Sequence, residues 1–313
     1  MQTQIAIEDI AGVLGVTTQQ AEGLAQSEGV AKGRKLTPQQ ARAVFSRKGF
    51  QFPKRNIVFH CLKGGAAKTT LAYNSAYRLS QLGARVLLVD LDKQANATHS
   101  FRSEDSPFCF VDVVTNQCKV SEAIVPVSDF LDLLPSSLEN ARLEMELIHL
   151  RRNPQTFYKE LFAPIRARYD CLVFDLPPDL SHNTYMSTLF ADWIVVPVNA
   201  DAYSLSGMRM TLESIEGIRK EFAREDLEVL VVWSKFDGRE KSALAFSEDL
   251  QHVPGARLLP TVIRTDVTFK TAQARSQSVF QLRKRSNAKE DLDLLVREIA
   301  GLNDVFSPLS GDA

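Results

Sequence analysis

The sequence predicts an α/β protein with a doubly wound, mainly parallel β-sheet and a small all-helical module at its N-terminus. From residue 56 onward, short continuous apolar runs rich in β-branched residues alternate with segments of helical periodicity. The runs do not alternate with polar residues, as expected of parallel strands that helices cover on both faces. The first 50 residues contain only helical patterns.

Length, net charge and cysteine content limit the classes of protein that this chain can be. With 313 residues, the chain has room for one large domain and an appendage. The net charge of −1 provides no overall attraction to nucleic acid or membrane, so any such affinity must be local. The sequence shows no long apolar run and no leader pattern, so we expect a cytoplasmic protein without a membrane span. The four cysteines match no metal motif, and we expect reduced thiols.

The charges divide the chain into two parts. Residues 1–55 contain eight basic and four acidic residues, and all eight basic residues follow position 31. The rest of the chain is mildly acidic. This asymmetry predicts a basic N-terminal module, residues 1–50, on a larger α/β domain, residues 51–313.

Six apolar runs are the predicted strands of that domain. In chain order they are "NIVFHCL", "ARVLLVDLD", "LDLLP", "YDCLVFDLPP", "DWIVVPVNA" and "LEVLVVWSKFD". The segments "TTLAYNSAYRLSQLG" and "LSGMRMTLESIEGIRKEF" have helical spacing between them. Because ligands of such sheets bind at the carboxyl ends of the strands, the residues that follow each run are candidates for a site.

The first strand end carries a glycine loop with two lysines. We predict a strand over residues 58–62, a turn over 63–67 and a helix over 68–82 that Gly83 ends. The loop glycines and the helix N-terminus are suited to a phosphate group. Lys68 supplies charge to the outer phosphates, and the Thr69 hydroxyl is a candidate magnesium ligand, as in a P-loop NTPase.

The strict P-loop pattern is not met, because Leu62 and Ala67 stand where it has glycine. A plain glycine turn between a strand and a helix is therefore the alternative. Two further strand ends favour the nucleotide site: Asp92 follows Lys68 by 24 residues, and Asp175 ends a later run. Asp175 is placed to bind the metal ion. Asp92 is placed to orient an attacking water molecule and to act as a further metal ligand. We interpret Asp90 and Asp179 as capping or solvated acids.

Three motifs in this order resemble the deviant Walker A, switch I and Walker B motifs of the ParA/MinD family of partition and positioning ATPases. They are "KGGAAKTT", "VLLVDLDKQANAT" and "YDCLVFDLPPDLS", and the similarity extends from about residue 56 to 299. The resemblance implies ATP and Mg²⁺ as cofactors and slow hydrolysis that a partner protein stimulates. It also implies that Lys63 reaches the partner's nucleotide in an ATP-dependent homodimer.

The resemblance assigns site residues by position. Lys63, Lys68 and Asp92 are the candidate catalytic residues, and Thr69, Asp92 and Asp175 are the candidate metal ligands. The candidate nucleotide-binding residues are Lys63, Gly64, Gly65, Ala66, Ala67, Lys68, Thr69, Thr70, Arg264 and Asp266.

The chain departs from the family pattern at several of these positions. The family has glycine in place of Ala67 and "DPQGN" in place of "DKQAN". The segment "TVIRTDVTFKTA" resembles the family's adenine-side loop, "IPRN", with Arg264, Thr265 and Asp266 in place of proline, arginine and asparagine. We expect the methyl group of Ala67 to be tolerated only if φ is negative there.

The C-terminal sequence separates the branches of the family. The final helix lacks the basic amphipathic pattern of the MinD-like members, so we expect no membrane binding. The sequence also lacks the cluster cysteines of nitrogenase-iron-protein relatives and the tandem repeat of arsenite pump ATPases. The DNA-segregation branch and its relatives that position other cargo remain.

The N-terminal module has the pattern of a helix-turn-helix. A first helix ends at Gly15, a second begins at Thr17 or Thr18, and a third begins with Thr37 as N-cap and Pro38 in the first turn. We expect DNA contact through residues 32–55, with Arg34 and Lys35 as candidates. The alternative is a dimerisation or docking module, because the second helix carries no basic residue.

A second basic region follows near the C-terminus. Its candidate DNA-binding residues are Lys270, Arg275, Arg283, Lys284 and Arg285, with Lys289 beside them. Family members bind DNA without sequence preference through this region, as ATP dimers. A solvated helix face is the alternative interpretation.

The sequence thus predicts an ATP-dependent, dimerising, DNA-binding ATPase associated with the nucleoid. It would partition or position plasmid or chromosomal DNA with a ParB-like activator. Two other functions remain open: an ATP-switched transcriptional regulator that binds operator DNA, and a ParA-like positioner of a protein cluster.

Overall fold

The computed structural model describes residues 3–30, 35–101, 106–199, 202–236 and 255–306. Within these ranges, eight strands form one sheet in the order β3-β4-β2-β5-β1-β6-β7-β8. The strands are β1 (Arg55–Phe59), β2 (Val86–Asp90), β3 (Val125–Ser128), β4 (Leu131–Leu134), β5 (Cys171–Asp175), β6 (Trp193–Val198), β7 (Glu228–Phe236) and β8 (Arg257–Arg264). The β3–β4 pair is antiparallel and the other strand pairs are parallel. The predicted doubly wound, mainly parallel sheet is confirmed.

Helices cover both faces of this sheet. In the described residues they are α1 (Ile7–Leu14), α2 (Thr18–Gln26), α3 (Pro38–Arg47), α4 (Lys68–Leu82), α5 (Asn96–His99), α6 (Phe110–Val114), α7 (Val120–Ala123), α8 (Leu143–Leu150), α9 (Phe157–Arg166), α10 (His182–Phe190), α11 (Ala202–Phe222), α12 (Val267–Ala274) and α13 (Asn287–Ala300). Two 3₁₀ turns lie at Leu138–Arg142 and Val279–Gln281. None of the described helices is long and apolar enough to cross a membrane.

The six predicted strands correspond to β1, β2, β4, β5, β6 and β7. The sequence pattern did not reveal β3 and β8, which form the two edges of the sheet. Both are only partly buried, so they lack the continuous apolar run of a central strand. The first strand was predicted about three residues too late in the chain. It was expected at residues 58–62, but β1 ends at Phe59 and the loop begins at His60.

Side chains of alternate strand residues enter two separate cores. Ile57 and Phe59 of β1 lie in one core, and Val58 lies in the other. The first core includes residues of α4 and α13 together with the N-terminal helices. The N-terminal residues therefore pack on one face of the sheet as part of a shared core.

The N-terminal helices have the boundaries that the sequence indicates. Gly15 ends α1 in the left-handed conformation, with φ of 62°. Thr17 and Thr37 cap α2 and α3, each in a reciprocal capping box with the glutamine three residues later. Phe45 of α3 packs in an aromatic cluster with rings from the following segment and from the C-terminal part of the chain.

Candidate nucleotide-binding site

The carboxyl ends of β2, β5 and β1 meet at the centre of the sheet. Asp175, the last residue of β5, pairs in register with Asp90 of β2 on one side and with Phe59 of β1 on the other. Asp92 follows two residues after Asp90. The predicted acids therefore lie beside the glycine loop that follows β1, because parallel strands end at one edge.

The glycine loop leads into α4 as the sequence indicates. The helix begins at Lys68 and ends at Leu82, with Gly83 in the left-handed conformation. Gly65 has φ of 76°, and a side chain added at Gly64 or Gly65 would meet open space. The loop thus leaves room for a ligand to approach its backbone.

The expectation for Ala67 was wrong. Ala67 has φ of 72°, in the left-handed region that favours glycine. Ala95, which stands where the related "DPQGN" motif has glycine, has φ of 52°. Both loops keep a glycine-like backbone, and an alanine there costs about 1–2 kcal/mol.

The two lysines of the loop lie on different sides of it. Lys68 is only 6% exposed, and its Nζ donates to the carbonyl oxygen of Lys63 at 3.2 Å. Burial lowers the pKa of Lys68, and the charge of Asp175 opposes that shift. Lys63 packs closely against Gly207 of α11, and the two line a separate shallow pocket with Leu180 and Met210.

Asp90 holds the segment that follows β2. Its carboxylate accepts bonds from the Thr98 backbone and hydroxyl, at 2.8 and 2.7 Å, and from the backbone of Asp92 at 3.2 Å. Burial raises the pKa of Asp90 to about 6. Asp90 therefore has the predicted capping role, but it is fully buried and not solvated.

Asp92 is positioned by its neighbours and still reaches the ligand cavity. Its Oδ1 accepts the backbone N–H of Gln94 at 2.9 Å, and its carbonyl accepts the Ser136 hydroxyl at 2.6 Å. Asp92 also lines the cavity beside Lys68 and Thr69. One carboxylate oxygen of Asp92 thus carries no bond that the described residues provide.

Asp175 is completely buried, and neither of its carboxylate oxygens has a hydrogen-bond partner among the described residues. Burial raises the pKa of Asp175 well above its usual range, and Asp90 adds to the shift. The Thr69 hydroxyl lies near enough to lower that pKa, although it does not meet hydrogen-bond geometry. A buried carboxylate without a partner and an adjacent hydroxyl fit a hydrated magnesium ion.

The described residues contain no cluster of three or more His, Cys, Asp or Glu side chains that would hold a metal by itself. A magnesium ion that arrives on nucleotide phosphates needs only one or two protein carboxylates and keeps several waters.

A cavity of about 650 Å³ opens above these groups. Its phosphate end is lined by Gly64, Gly65, Ala67, Lys68, Thr69 and Thr70, and its other end by Arg264, Thr265 and Asp266. The structure therefore joins the glycine loop to the predicted adenine-side segment, which is almost 200 residues later in the chain. Ala66 and Lys63 do not line this cavity.

The side chains of the adenine-side segment have structural partners. The Arg264 guanidinium donates to Asp291 at 2.5 Å, so its side chain is already paired. Asp266 is the N-cap of α12 and accepts the backbone N–H groups of Thr268 and Ala288, at 2.7 and 3.2 Å. Backbone groups and the exposed side chain of Thr265 are therefore the contacts that this segment offers to a base.

Comparison with known proteins identifies the family. The model of an AAA domain family matches residues 54–229. A ParA family protein of Chlamydia trachomatis is 31% identical over 252 residues, which cover 78% of this chain and 97% of that protein. The chain belongs to the ParA/MinD family of ATPases. The cell division protein PomZ of Myxococcus xanthus is 30% identical over 249 residues, 78% of this chain and 77% of PomZ.

Solved structures agree with the fold of this ParA/MinD ATPase. Cobyrinic acid a,c-diamide synthase from Mycobacterium smegmatis, with bound ATP analog and magnesium, gives a TM-score of 0.67 at 25% identity. The alignment covers 81% of this chain and 96% of that one. Apo McdA from Cyanothece gives 0.70 at 22% identity, covering 78% and 98%. ATP and Mg²⁺ are the cofactors of this ATPase. The cavity, Lys68 and Asp175, whose carboxylate has no hydrogen-bond partner in the part of the chain that the structure describes, fit them.

Several residues of the ATPase cavity were missed by sequence reasoning. They are Tyr73, Asn96, Ser100, Pro178, Lys235, Ile263, Phe269 and Gln273. Lys235 lies just before the end of β7 and has φ of 53°. The strand-end rule that selected Asp92 and Asp175 would also have selected Lys235.

The predicted DNA-binding residues fall in different places. Lys270 of α12 lines the nucleotide cavity, whereas Arg283 and Arg285 line a separate groove together with Lys35. Lys284 is exposed between them, and Arg275 follows α12. Arg34 lies outside the described residues.

Proposed function

We propose that this chain is a partition or positioning ATPase that dimerises on ATP and binds DNA in that state. The observation that carries the proposal is the placement of the two loop lysines. Lys68 lies in the nucleotide cavity, and Lys63 lies beside Leu180 and Met210, which are 55% and 52% exposed. Exposed apolar side chains next to a cation support a face on which a second copy brings its nucleotide to Lys63.

The catalytic roles follow from the positions of the groups. Lys68 would neutralise the outer phosphates, Thr69 and Asp175 would hold the magnesium ion, and Asp92 would orient the attacking water near the metal. Arg264 and Asp266 would shape the base end through their backbone. Magnesium would neutralise charge on the phosphates when bound.

We infer two parts in the chain: a helical module, residues 1–50, and a ParA-like ATPase domain, residues 51–313. The ATP dimer would bind DNA without sequence preference, and thereby the nucleoid, through Lys35 and the basic residues near the C-terminus. A ParB-like protein would stimulate hydrolysis and release the DNA.

A second function is positioning of a protein cluster in place of DNA. The similarity to PomZ, a cell division protein, favours it. A third is an ATP-switched regulator that binds operator DNA, for which the three capped N-terminal helices are the supporting feature. High-affinity binding to one operator without partner-stimulated turnover would favour that regulator.

Sedimentation with and without a non-hydrolysable ATP analogue tests the proposal. We expect a dimer when the analogue and magnesium are present. We expect binding to random-sequence DNA only under that condition. ATP turnover is then measured with the product of the neighbouring gene. A monomer under all conditions would contradict the proposal.

A further inference from the structure

A groove of about 790 Å³ lies where the N-terminal helices meet the ATPase body. We call it the junction groove. Its walls come from the N-terminal helices, α4, the segment after the second 3₁₀ turn, and α13. It is separate from the nucleotide cavity, and the two share no lining residue.

Two of the four acids that line the junction groove are paired with cations that also line it. Asp293 accepts from Arg78 at 2.7 Å and from Arg297 at 2.6 Å. Asp9 lies 3.3 Å from Arg78. Glu290 is 3.5 Å from Arg264, which lies outside the groove. The charges of Asp9 and Asp293 are therefore balanced by Arg78 and Arg297 within the walls, whereas that of Glu290 is not.

The remaining cations give the groove a positive excess. They are Lys35, Arg283, Arg285 and Lys289, against the two acids Glu8 and Glu290. Lys35, Arg283 and Arg285 are exposed, and within the described ranges none of them makes an ion pair. Lys289 of α13 donates to the carbonyl of Leu282 and thereby contacts the segment that carries Arg283 and Arg285.

The N-terminal wall of the groove, which bears Lys35, is held against the wall formed by α4 and α13. Gln81 of α4 donates to the carbonyl of Gln4 at 3.0 Å, and Arg297 of α13 donates to that of Gly12 at 2.9 Å. Leu36, next to Lys35, is fully buried. The two basic regions that appear separate in the sequence therefore form one surface.

The junction groove is also connected to the nucleotide cavity through α4 and the segment after α12. Asn74 of α4 accepts the Ser278 hydroxyl at 2.8 Å and the Val279 backbone N–H at 2.9 Å. Helix α4 begins at Lys68 in the cavity and reaches the groove at Arg78, about 15 Å along its axis. A nucleotide that moves α4 would move one wall of the groove.

We propose that the junction groove binds the sugar–phosphate backbone of DNA, with Lys35 on one wall and Arg283 and Arg285 on the other. The proposal rests on the DNA binding proposed above and assigns it to a composite surface. Cations that contact phosphates alone give binding without sequence preference. An acidic protein is less favoured, because the walls are mainly charged and offer few of the apolar anchors on which protein partners depend.

The test measures binding of a fluorescent random-sequence duplex to the full chain, with a non-hydrolysable ATP analogue and magnesium, over a range of salt concentrations. The variants are Lys35→Ala and Arg285→Ala, with Lys35→Gln as a second substitution in case the first disturbs folding. Lys48→Ala is the matched control, because Lys48 is an exposed lysine of the same N-terminal helices outside the groove. Deletion of residues 1–50 is unsuitable, since it would expose the shared core.

Each groove variant should lower the slope of log affinity against log salt by about 0.9, the value for one phosphate contact. Lys48→Ala should leave the slope unchanged. If Arg285→Ala weakens binding but both Lys35 variants behave like Lys48→Ala, the composite groove is wrong and the C-terminal segment binds alone. Absence of DNA binding in the wild type would instead overturn the proposed function, and binding of polyglutamate in that case would indicate an acidic protein partner.

Discussion

Arg42 of α3 donates to Asp170, the residue before β5, at 2.5 Å. Asp170 is largely buried and also accepts the backbone N–H of Arg85, at 2.8 Å, just before β2. One carboxylate therefore joins the N-terminal helices to the two strands that end in the candidate site acids. This ion pair fixes the module on the ATPase body.

Loss of this contact should reduce stability. Arg42→Ala leaves the buried Asp170 carboxylate without its main cation, so we expect a loss of about 1–3 kcal/mol in the free energy of unfolding. Urea denaturation measures it. Arg47→Ala on the same helix is the control, because the half-exposed Arg47 pairs with Glu28 and Ser27 close to the surface, and it should cost less than about 1 kcal/mol. Equal effects of the two substitutions would mean that the module is not anchored through Asp170.

Lys68→Ala should abolish most ATP binding. The side chain is buried at the phosphate end of the cavity, and truncation of one partner of a buried charged contact typically costs 2–5 kcal/mol, so affinity should fall at least about 30-fold. Titration with a fluorescent ATP analogue checks this, and circular dichroism confirms folding. Undiminished binding would exclude the P-loop role of Lys68.

Lys63→Ala should act on dimers and not on the nucleotide of its own chain. Lys63 does not line the nucleotide cavity, so ATP affinity of the monomer should stay within about threefold of wild type. Sedimentation with a non-hydrolysable analogue should show loss of the dimer, and DNA binding and turnover should fall with it. A variant that dimerises as tightly as wild type would refute the sandwich dimer.

Asp92→Ala should stop hydrolysis while ATP binding remains. A residue that orients the attacking water contributes about 100-fold or more to the rate, whereas ground-state affinity does not depend on it. The variant should therefore accumulate as an ATP dimer on DNA. Asp92→Asn is the control, because it preserves the acceptor for the Gln94 backbone and removes only the charge. Wild-type turnover in either variant would mean that another residue orients the attacking water molecule.

Ala67→Gly should stabilise the protein. Glycine relieves about 1–2 kcal/mol of left-handed strain. Its greater conformational freedom in the unfolded chain costs about 0.5–1 kcal/mol, so the net gain in stability should be about 0.5–1 kcal/mol. The neighbouring Ala66, which has negative φ and is buried, provides the control. Ala66→Gly should destabilise. If thermal unfolding shows the same loss for both, the left-handed conformation of Ala67 carries no strain.

Local sequence predicted the limits of helix α4 and of the N-terminal helices accurately, because both depend on contacts between near neighbours. Helix α4 has its predicted ends at Lys68 and Leu82, and Thr17 and Thr37 cap helices at the predicted sites. The edge strands β3 and β8 were missed, since their side chains are only partly buried and the ladder to a neighbouring strand decides their conformation. The condition stated for Ala67, a negative φ, is not met for a related reason: the loop geometry outweighs the preference of the residue.

By itself the sequence determined which polar residues meet at one edge of the sheet, since continuous apolar runs bring Asp92, Asp175 and Lys68 to the carboxyl ends of parallel strands. Only the tertiary structure decided which distant segments share a surface. Packing placed Lys270 on the nucleotide cavity and brought Lys35 beside Arg283 and Arg285, because the shared core fixes the N-terminal helices on α4 and α13. Long-range packing depends on the shapes of both partners, and no local pattern in the chain encodes it.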